Sequence, residues 1–246
     1  MNKLAIIGGT GLSTMENLEI IRREIVQTPY GEPSAPLAYG KIGDCDVIFL
    51  PRHGYGHTLP PHKINYRANI YALKDAGATH VLAVAAVGGI RSDMVAKRIV
   101  VPDQIIDYTH SRINTYFEES LTHVTHIDFS YPYSDYVRNK IIAAGETLNI
   151  DIAAKATYAA TQGPRLETAA EITKLEKDGC DIVGMTGMPE ACLAREQGLE
   201  YACLAVVANL AAGKSEEELT MEMIEENLKE GMENTQKIVA EVISTI

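Results

Sequence analysis

Short apolar runs that each end in a glycine-rich or polar loop recur along this chain, and that repetition limits the folds open to it. The run at 4–7 enters Gly8-Gly9-Thr10-Gly11, the run at 46–50 enters Pro51-Arg52-His53-Gly54, and the run at 81–87 enters Gly88-Gly89. Two more follow: 182–183 before Gly184-Met185-Thr186, and 201–207 before Ala208-Asn209-Leu210-Ala211. Apolar runs without alternation read as strands buried on both faces, the pattern of parallel sheets covered by helices. Shorter strands are expected at 99–101, 105–106 and 152–160. Helical spacing recurs at 66–76 (stopped by Gly77), at 136–148, at 167–177 and from about Met188. From Ser215 onward one or two amphipathic helices are expected, opened by a capping-box pattern from Ser215 to Glu218. Strands alternating with helices, with no linker or shift in composition, predict one α/β domain over residues 1–246. Its sheet should be mixed, largely parallel and flanked by helices. Ligands of open α/β sheets sit at the carboxyl ends of strands, where these loops fall. Residues 107–133 are polar and aromatic with three histidines and no clean period, and read as a long excursion from the sheet.

Charge and cysteine usage exclude several classes. The net charge of −11 repels a phosphate backbone, so no nucleic-acid partner is expected, although one small anion pocket remains compatible with it. No stretch approaches the roughly 18 apolar residues of a transmembrane helix, and the first apolar run is too short for a secretory signal. No membrane partner is therefore expected. Cys45, Cys180, Cys192 and Cys203 form no C-x-x-C pair and read as reduced thiols of a cytoplasmic protein. His53, His57 and His62 lack the helix, cysteine or nearby glutamate that would make them a metal site.

The loop residues support more than one reading when taken singly. Gly8 to Gly11 is neither a P-loop nor a dinucleotide fingerprint, because the required lysine and third glycine are missing. It reads as a tight strand–helix turn or as an amide nest that, with the Thr10 hydroxyl, cradles one phosphate. Arg52-His53 suits an inorganic anion or a solvated surface pair. Glu167, after Gly163-Pro164-Arg165-Leu166, is a helix-start acid or a ligand group. Thr186 and Asn209 offer polar side chains directly after buried strands. Together Thr10, Arg52, His53, Glu167, Thr186 and Asn209 all fall at strand ends, the layout of one shared pocket.

In combination these residues resemble a known family. Ile6-Ile7-Gly8-Gly9-Thr10-Gly11-Leu12, Arg52-His53-Gly54, Asn65-Tyr66-Arg67-Ala68-Asn69-Ile70, Gly163-Pro164-Arg165 and Gly184-Met185-Thr186 followed by Pro189-Glu190 occur in that order. This is similar to the trimeric purine nucleoside phosphorylase and methylthioadenosine phosphorylase family, from about Leu4 to the last helix. The resemblance implies a purine nucleoside phosphorylase-like fold, a homotrimer, and reversible phosphorolysis of a purine N-glycosidic bond. It implies no cofactor, with inorganic phosphate as co-substrate. It assigns Thr10, Arg52, His53, Thr186 and the backbone at Ala85-Ala86 to phosphate. Met185 goes under the ribose, Asn209 and Glu167 go to the base, and His126 goes to a neighbouring subunit's sugar pocket. Asn209 and His53 would be the catalytic pair. A hydrolytic nucleosidase and a non-enzymatic nucleotide-binding module are the rival classes.

Departures from the family pattern point to the substrate. Methylthioadenosine-type members carry Asp-x-Asp where this chain has Asn209-Leu210-Ala211, and an aromatic residue where Leu166 stands. Ala85 replaces a hydroxyl residue of some relatives. Ordinary nucleoside phosphorylases place a histidine late in the chain against the 5′-hydroxyl, whereas all seven histidines here lie at or before His126. Leu219, Met221, Met223 and Ile224 would form an apolar 5′ pocket or face the core. Asn carries both a donor and an acceptor, and a Glu carboxylate can accept from the N1–H of a 6-oxopurine. Hypoxanthine-type nucleosides, methylthioinosine first, are therefore the expected substrates, with methylthioadenosine poor.

Overall fold

The computed structural model of the chain describes residues 3–9, 12, 18–119, 121–215 and 221–246, without the side chains of 221–223 and 225. Its centre is β5 (His80–Gly89), flanked along its whole length by the parallel strand β11 (Glu200–Leu210). The other edge of β5 is shared. β1 (Leu4–Gly8) pairs in parallel with His80 to Ala83, and β10 (Ile182–Gly184) pairs antiparallel with Gly88 and Gly89. Between these two partners the sheet forks at Val84 to Val87, leaving backbone groups that a ligand can reach. Beyond β1 lie β4 (Cys45–Pro51, parallel), β3 (Leu37–Ile42) and β2 (Leu18–Glu24), the last two antiparallel. Beyond β10 lie β9 (Thr157–Ala160) and β7 (Gln104–Asp107), both parallel to their neighbours. β6 (Ile99–Val100) joins β11 antiparallel, and β8 (Ile152–Ala153) adds to β6. The mixed, mostly parallel α/β sheet anticipated from the apolar runs is the one observed.

Alternation along β5 sorts the helices onto two faces. Val81, Ala83, Ala85 and Val87 pack with Ile70 and Leu73 of α1 (Tyr66–Asp75) and with Ala191 and Leu193 of α4 (Gly187–Glu196). Leu82 and Val84 face the opposite way, toward Val137 and Ile141 of α2 (Asp135–Leu148) and Ile238, Val239 and Val242 of α5 (Met221–Thr245). Each fully buried aliphatic side chain in these layers contributes about 1.5–3 kcal/mol. A smaller cluster puts Ile172 and Leu175 of α3 (Ala169–Lys177) against Ala159 and Val183. The antiparallel step at the end of β5 needs glycine: a Cβ on Gly89 would lie 1.8 Å from the Met94 carbonyl oxygen.

Several boundaries differ from the sequence reading for identifiable reasons. The strand expected at 152–160 is broken into β8 and β9, which pair with different neighbours. The helix expected from 167 starts at Ala169. Thr168 is its N-cap in a reciprocal capping box with Glu171, so Glu171, not Glu167, is the first-turn acid. β11 runs through Asn209, with a register shift between Val207 and Asn209, so Asn209 belongs to the strand rather than to the loop after it. The edge hairpin β2–β3 was not anticipated. The last segment is one helix from Met221, and the capping-box expectation at Glu218 lies outside the described residues.

Candidate active site

At the fork of the sheet lies a cavity of about 390 Å³. Its walls come from the strand ends singled out above: Gly9 after β1, Arg52 and His53 after β4, Val84 to Gly88 of β5, Met185 and Thr186 after β10, and Asn209 of β11. Pro164, Leu166 and Glu167 close it from the β9–α3 loop, and Ala208, Ala211, Ala212 and Ile224 supply an apolar wall. Thr10 lies outside the described residues, as does the Met221 side chain. One expected residue, Leu210, does not line the cavity. His126, expected at a neighbouring subunit's pocket, is exposed on the 107–133 excursion and is not among the residues lining this chain's cavity.

One end of the cavity is built to hold donors. Arg52 is 2% exposed rather than part of a solvated pair. Its Nε donates to Glu190 Oε2 at 2.6 Å, Nη2 to Oε1 at 2.8 Å, and Nη1 to the Val84 carbonyl at 2.9 Å. Tyr201 donates to the same Glu190 Oε1 at 2.9 Å, and Glu190 is fully buried. Burial opposes the guanidinium charge, but the Glu190 carboxylate outweighs it and the net shift of the Arg52 pKa is upward. With five N–H groups and three bonds made, Arg52 keeps two donors free of these partners. His53 is buried beside it, stacked on His57 with ring centroids 4.1 Å apart. Burial, then the Arg52 charge, pushes its pKa down to about 4, so the ring is neutral at physiological pH. Thr186 is buried in the loop between β10 and α4, ahead of a kink at Met188, and lines the cavity. Ala86 is exposed to the cavity, while Ala85 is buried beneath it.

The other end is polar in a different way. Glu167 accepts from the Thr161 hydroxyl at 2.7 Å, which fixes one carboxylate oxygen and leaves the other available. Asn209 donates through Nδ2 to the Leu210 carbonyl at 2.8 Å, keeping one N–H and the carbonyl oxygen for a ligand. Met185 lies against Gly163, where a Cβ would come within 2.4 Å of the sulfur, at a φ of +58° that also favours glycine.

Sequence reasoning missed the residues that hold these loops. Arg112, on the excursion, donates to the carbonyls of Met185 (2.8 Å), Met188 (2.6 Å), Gln162 (2.7 Å) and Thr161 (3.2 Å). It thereby ties the loop carrying Glu167 to the loop carrying Met185 and Thr186. Nothing local in Ser111-Arg112-Ile113 signals this, since every partner is distant in the chain. Glu190 could have been found: it stands in the Pro189-Glu190 motif, but only its pairing with Arg52 gives it a role.

A doubly covered, mostly parallel sheet whose fork holds a cavity lined by buried donors, an amide and a carboxylate is, together with the likenesses that follow, that of an enzyme of the nucleoside phosphorylase type, a pentosyltransferase. The family model of the phosphorylase superfamily matches residues 3–244. A probable S-methyl-5′-thioinosine phosphorylase of Pseudomonas syringae pv. tomato is 54% identical over 244 residues, covering 99% of each chain. A 6-oxopurine nucleoside phosphorylase of Pyrococcus furiosus is 43% identical over 251 residues, covering 100% of this chain and 94% of the relative. The solved methylthioadenosine phosphorylase of Schistosoma mansoni in complex with adenine superposes with a TM-score of 0.95. It has 35% identity and covers 100% of this chain and 92% of that one. The chain belongs to the phosphorylase superfamily.

Proposed function

We propose that this protein catalyses the reversible phosphorolysis of 6-oxopurine nucleosides, with S-methyl-5′-thioinosine as the preferred substrate. The products are hypoxanthine and 5-methylthioribose 1-phosphate. The observation that carries this reading is the pairing of Asn209 and Glu167 in one cavity with Arg52, His53 and Thr186. Phosphate binds at the donor end, with the Ala85-Ala86 backbone and Thr10 completing its shell. Its bare oxygen attacks C1′ as the C1′–N9 bond breaks and the bonding pair passes to the purine. The purine ends neutral by taking up one proton while the sugar phosphate ends as a dianion, so hydrogen phosphate supplies the balance. Fixed donors aimed at developing charge do the catalytic work. Asn209 donates to the leaving base, Glu167 accepts from N1–H, and Met185 floors the ribose. No cofactor is required.

The apolar wall of Ala208, Ala211, Ala212 and Ile224 supports a methylthio rather than a hydroxyl group at the 5′ position. Burying the extra methyl and sulfur favours methylthioinosine over inosine by roughly 1–3 kcal/mol. The relatives named for thioinosine and 6-oxopurine substrates support the same choice. The whole chain acts as one domain and assembles as a homotrimer in the cytoplasm. There the exposed excursion brings His126 to a neighbour's sugar pocket.

Turnover of methylthioinosine, inosine, methylthioadenosine and adenosine, each with and without phosphate, tests this. Base release that needs no phosphate would identify a nucleosidase instead. Equal kcat/KM for methylthioadenosine and methylthioinosine would refute the reading of Asn209 and Glu167. Asn209→Asp should lower 6-oxopurine turnover and raise 6-aminopurine turnover, because an ionised Asp only accepts.

A further inference from the structure

We infer that His53 makes the anion end selective for an oxyanion that carries its own proton, because its Nε2 is held as a hydrogen-bond acceptor. This rests on the reading that phosphate binds at Arg52, His53 and Thr186, and adds which phosphate oxygen meets which group. His53 Nδ1 lies 2.8 Å from the Leu59 carbonyl oxygen, while the Leu59 N–H donates back to the His53 carbonyl at 3.0 Å. The loop between them therefore closes on the ring from both directions. A carbonyl oxygen can only accept, so Nδ1 carries the ring hydrogen. In a neutral imidazole the second nitrogen then has a lone pair and no proton.

The surroundings keep the ring neutral. His53 sits next to the Arg52 guanidinium and under the stacked His57 ring, and the carboxylate paired with Arg52, that of Glu190, is taken up by Arg52 and Tyr201. Burial and the Arg52 charge hold the ring's pKa near 4, well below the working range.

A lone pair facing a bare anionic oxygen is repulsive. Facing a P–OH, it is a hydrogen bond. Hydrogen phosphate presents one hydroxyl and three bare oxygens, so it satisfies His53 with the hydroxyl and leaves bare oxygens for the Arg52 donors and for attack on C1′. The protonated oxygen is the poorest nucleophile, and His53 draws it away from the sugar. No proton passes to His53 in this step. Sulfate and monofluorophosphate have the same charge and shape but no hydroxyl, and leave Nε2 unmatched. Arsenate, like phosphate, carries a hydroxyl at neutral pH.

The test compares these anions on the wild-type enzyme and on His53→Gln, whose amide can turn an N–H toward the anion. With wild-type enzyme, arsenate should support nucleoside cleavage. Sulfate and monofluorophosphate should compete with phosphate only at concentrations about 100-fold above its KM, the effect of one buried acceptor left without its donor. In His53→Gln that gap should narrow by about tenfold or more, because the substituted side chain can donate. The gap is a ratio within one preparation, so partial loss of folded protein does not alter it. If His53→Gln does not fold, the wild-type series alone decides: sulfate or monofluorophosphate inhibiting near the phosphate KM overturns the inference. A raised phosphate KM with an unchanged gap also overturns it while leaving the phosphate site where it was read. If both phosphate KM and gap are unchanged, phosphate does not bind at His53, and the underlying reading falls with it.

Discussion

Removing the Glu190 carboxylate leaves the Arg52 guanidinium, 2% exposed, without the countercharge that holds it. In Glu190→Gln the two bonds at 2.6 and 2.8 Å between ions become one bond from the guanidinium to a neutral amide oxygen, since the amide nitrogen meets a donor. The Tyr201 hydroxyl, 2.9 Å from Oε1, keeps its acceptor only if the glutamine oxygen takes that position, which turns the amide nitrogen toward Arg52 Nε. Breaking a buried ion pair from one side costs about 3–5 kcal/mol, mostly the penalty of the charge left behind. For a chain of this size each kcal/mol lowers Tm by roughly 2–4 °C, so a fall of about 6–20 °C is expected. Scanning calorimetry at fixed protein concentration measures it, the concentration being held so that Tm values compare like with like. The double variant Arg52→Met with Glu190→Leu removes both charges and should recover much of that loss, while phosphate-dependent turnover stays lost with Arg52. A Glu190→Gln protein within about 1 kcal/mol of wild type would show that the pair is not the buried, uncompensated bridge described above.

Three further outcomes follow from individual contacts. Arg112→Ala should lower nucleoside kcat/KM by about 100-fold in a protein with unchanged circular dichroism, because the Glu167 and Met185 loops lose their common tie. Arg112→Lys should recover little, since an ammonium cannot span the same carbonyls. Gly89→Ala should destabilise by about 4 kcal/mol or more in denaturant titration, because its Cβ would overlap the Met94 carbonyl oxygen. His53, with its pKa lowered from 6.5 to about 4, binds fewer protons folded than unfolded. Its contribution is complete above pH 6.5 and is lost as pH falls toward 4, on the order of 3 kcal/mol. Tm against pH for wild type minus His53→Gln should show that loss, and a flat difference would refute it.

Much of the scaffold was legible locally. The apolar runs that became β1, β4, β5, β10 and β11 are buried on both faces, so their composition needs no partner to be read. Gly77 marks the end of α1 through its own backbone preference, with a φ of +85°, whereas the caps at Ser134 and Thr168 emerged only from the structure. The candidate site was legible because strand-end loops of one sheet converge, which made Arg52, His53, Glu167, Thr186 and Asn209 neighbours once the sheet was assumed. β2 was not legible, for it is an edge strand with Ile21 60% exposed and no buried stripe to announce it.

Patterning and capping act over a few residues, and to that extent the sequence by itself determined the strands, the helices and the chemistry at their ends. Tertiary structure alone decided which of those groups meet. The fork between β1 and β10 depends on which strands share the edge of β5. Arg52 finds Glu190 138 positions away, and Arg112 gathers carbonyls 49 to 76 positions away. Charge and hydrogen-bond energy depend on distance in space, which the order of residues along a chain does not record until the sheet brings its strand ends together.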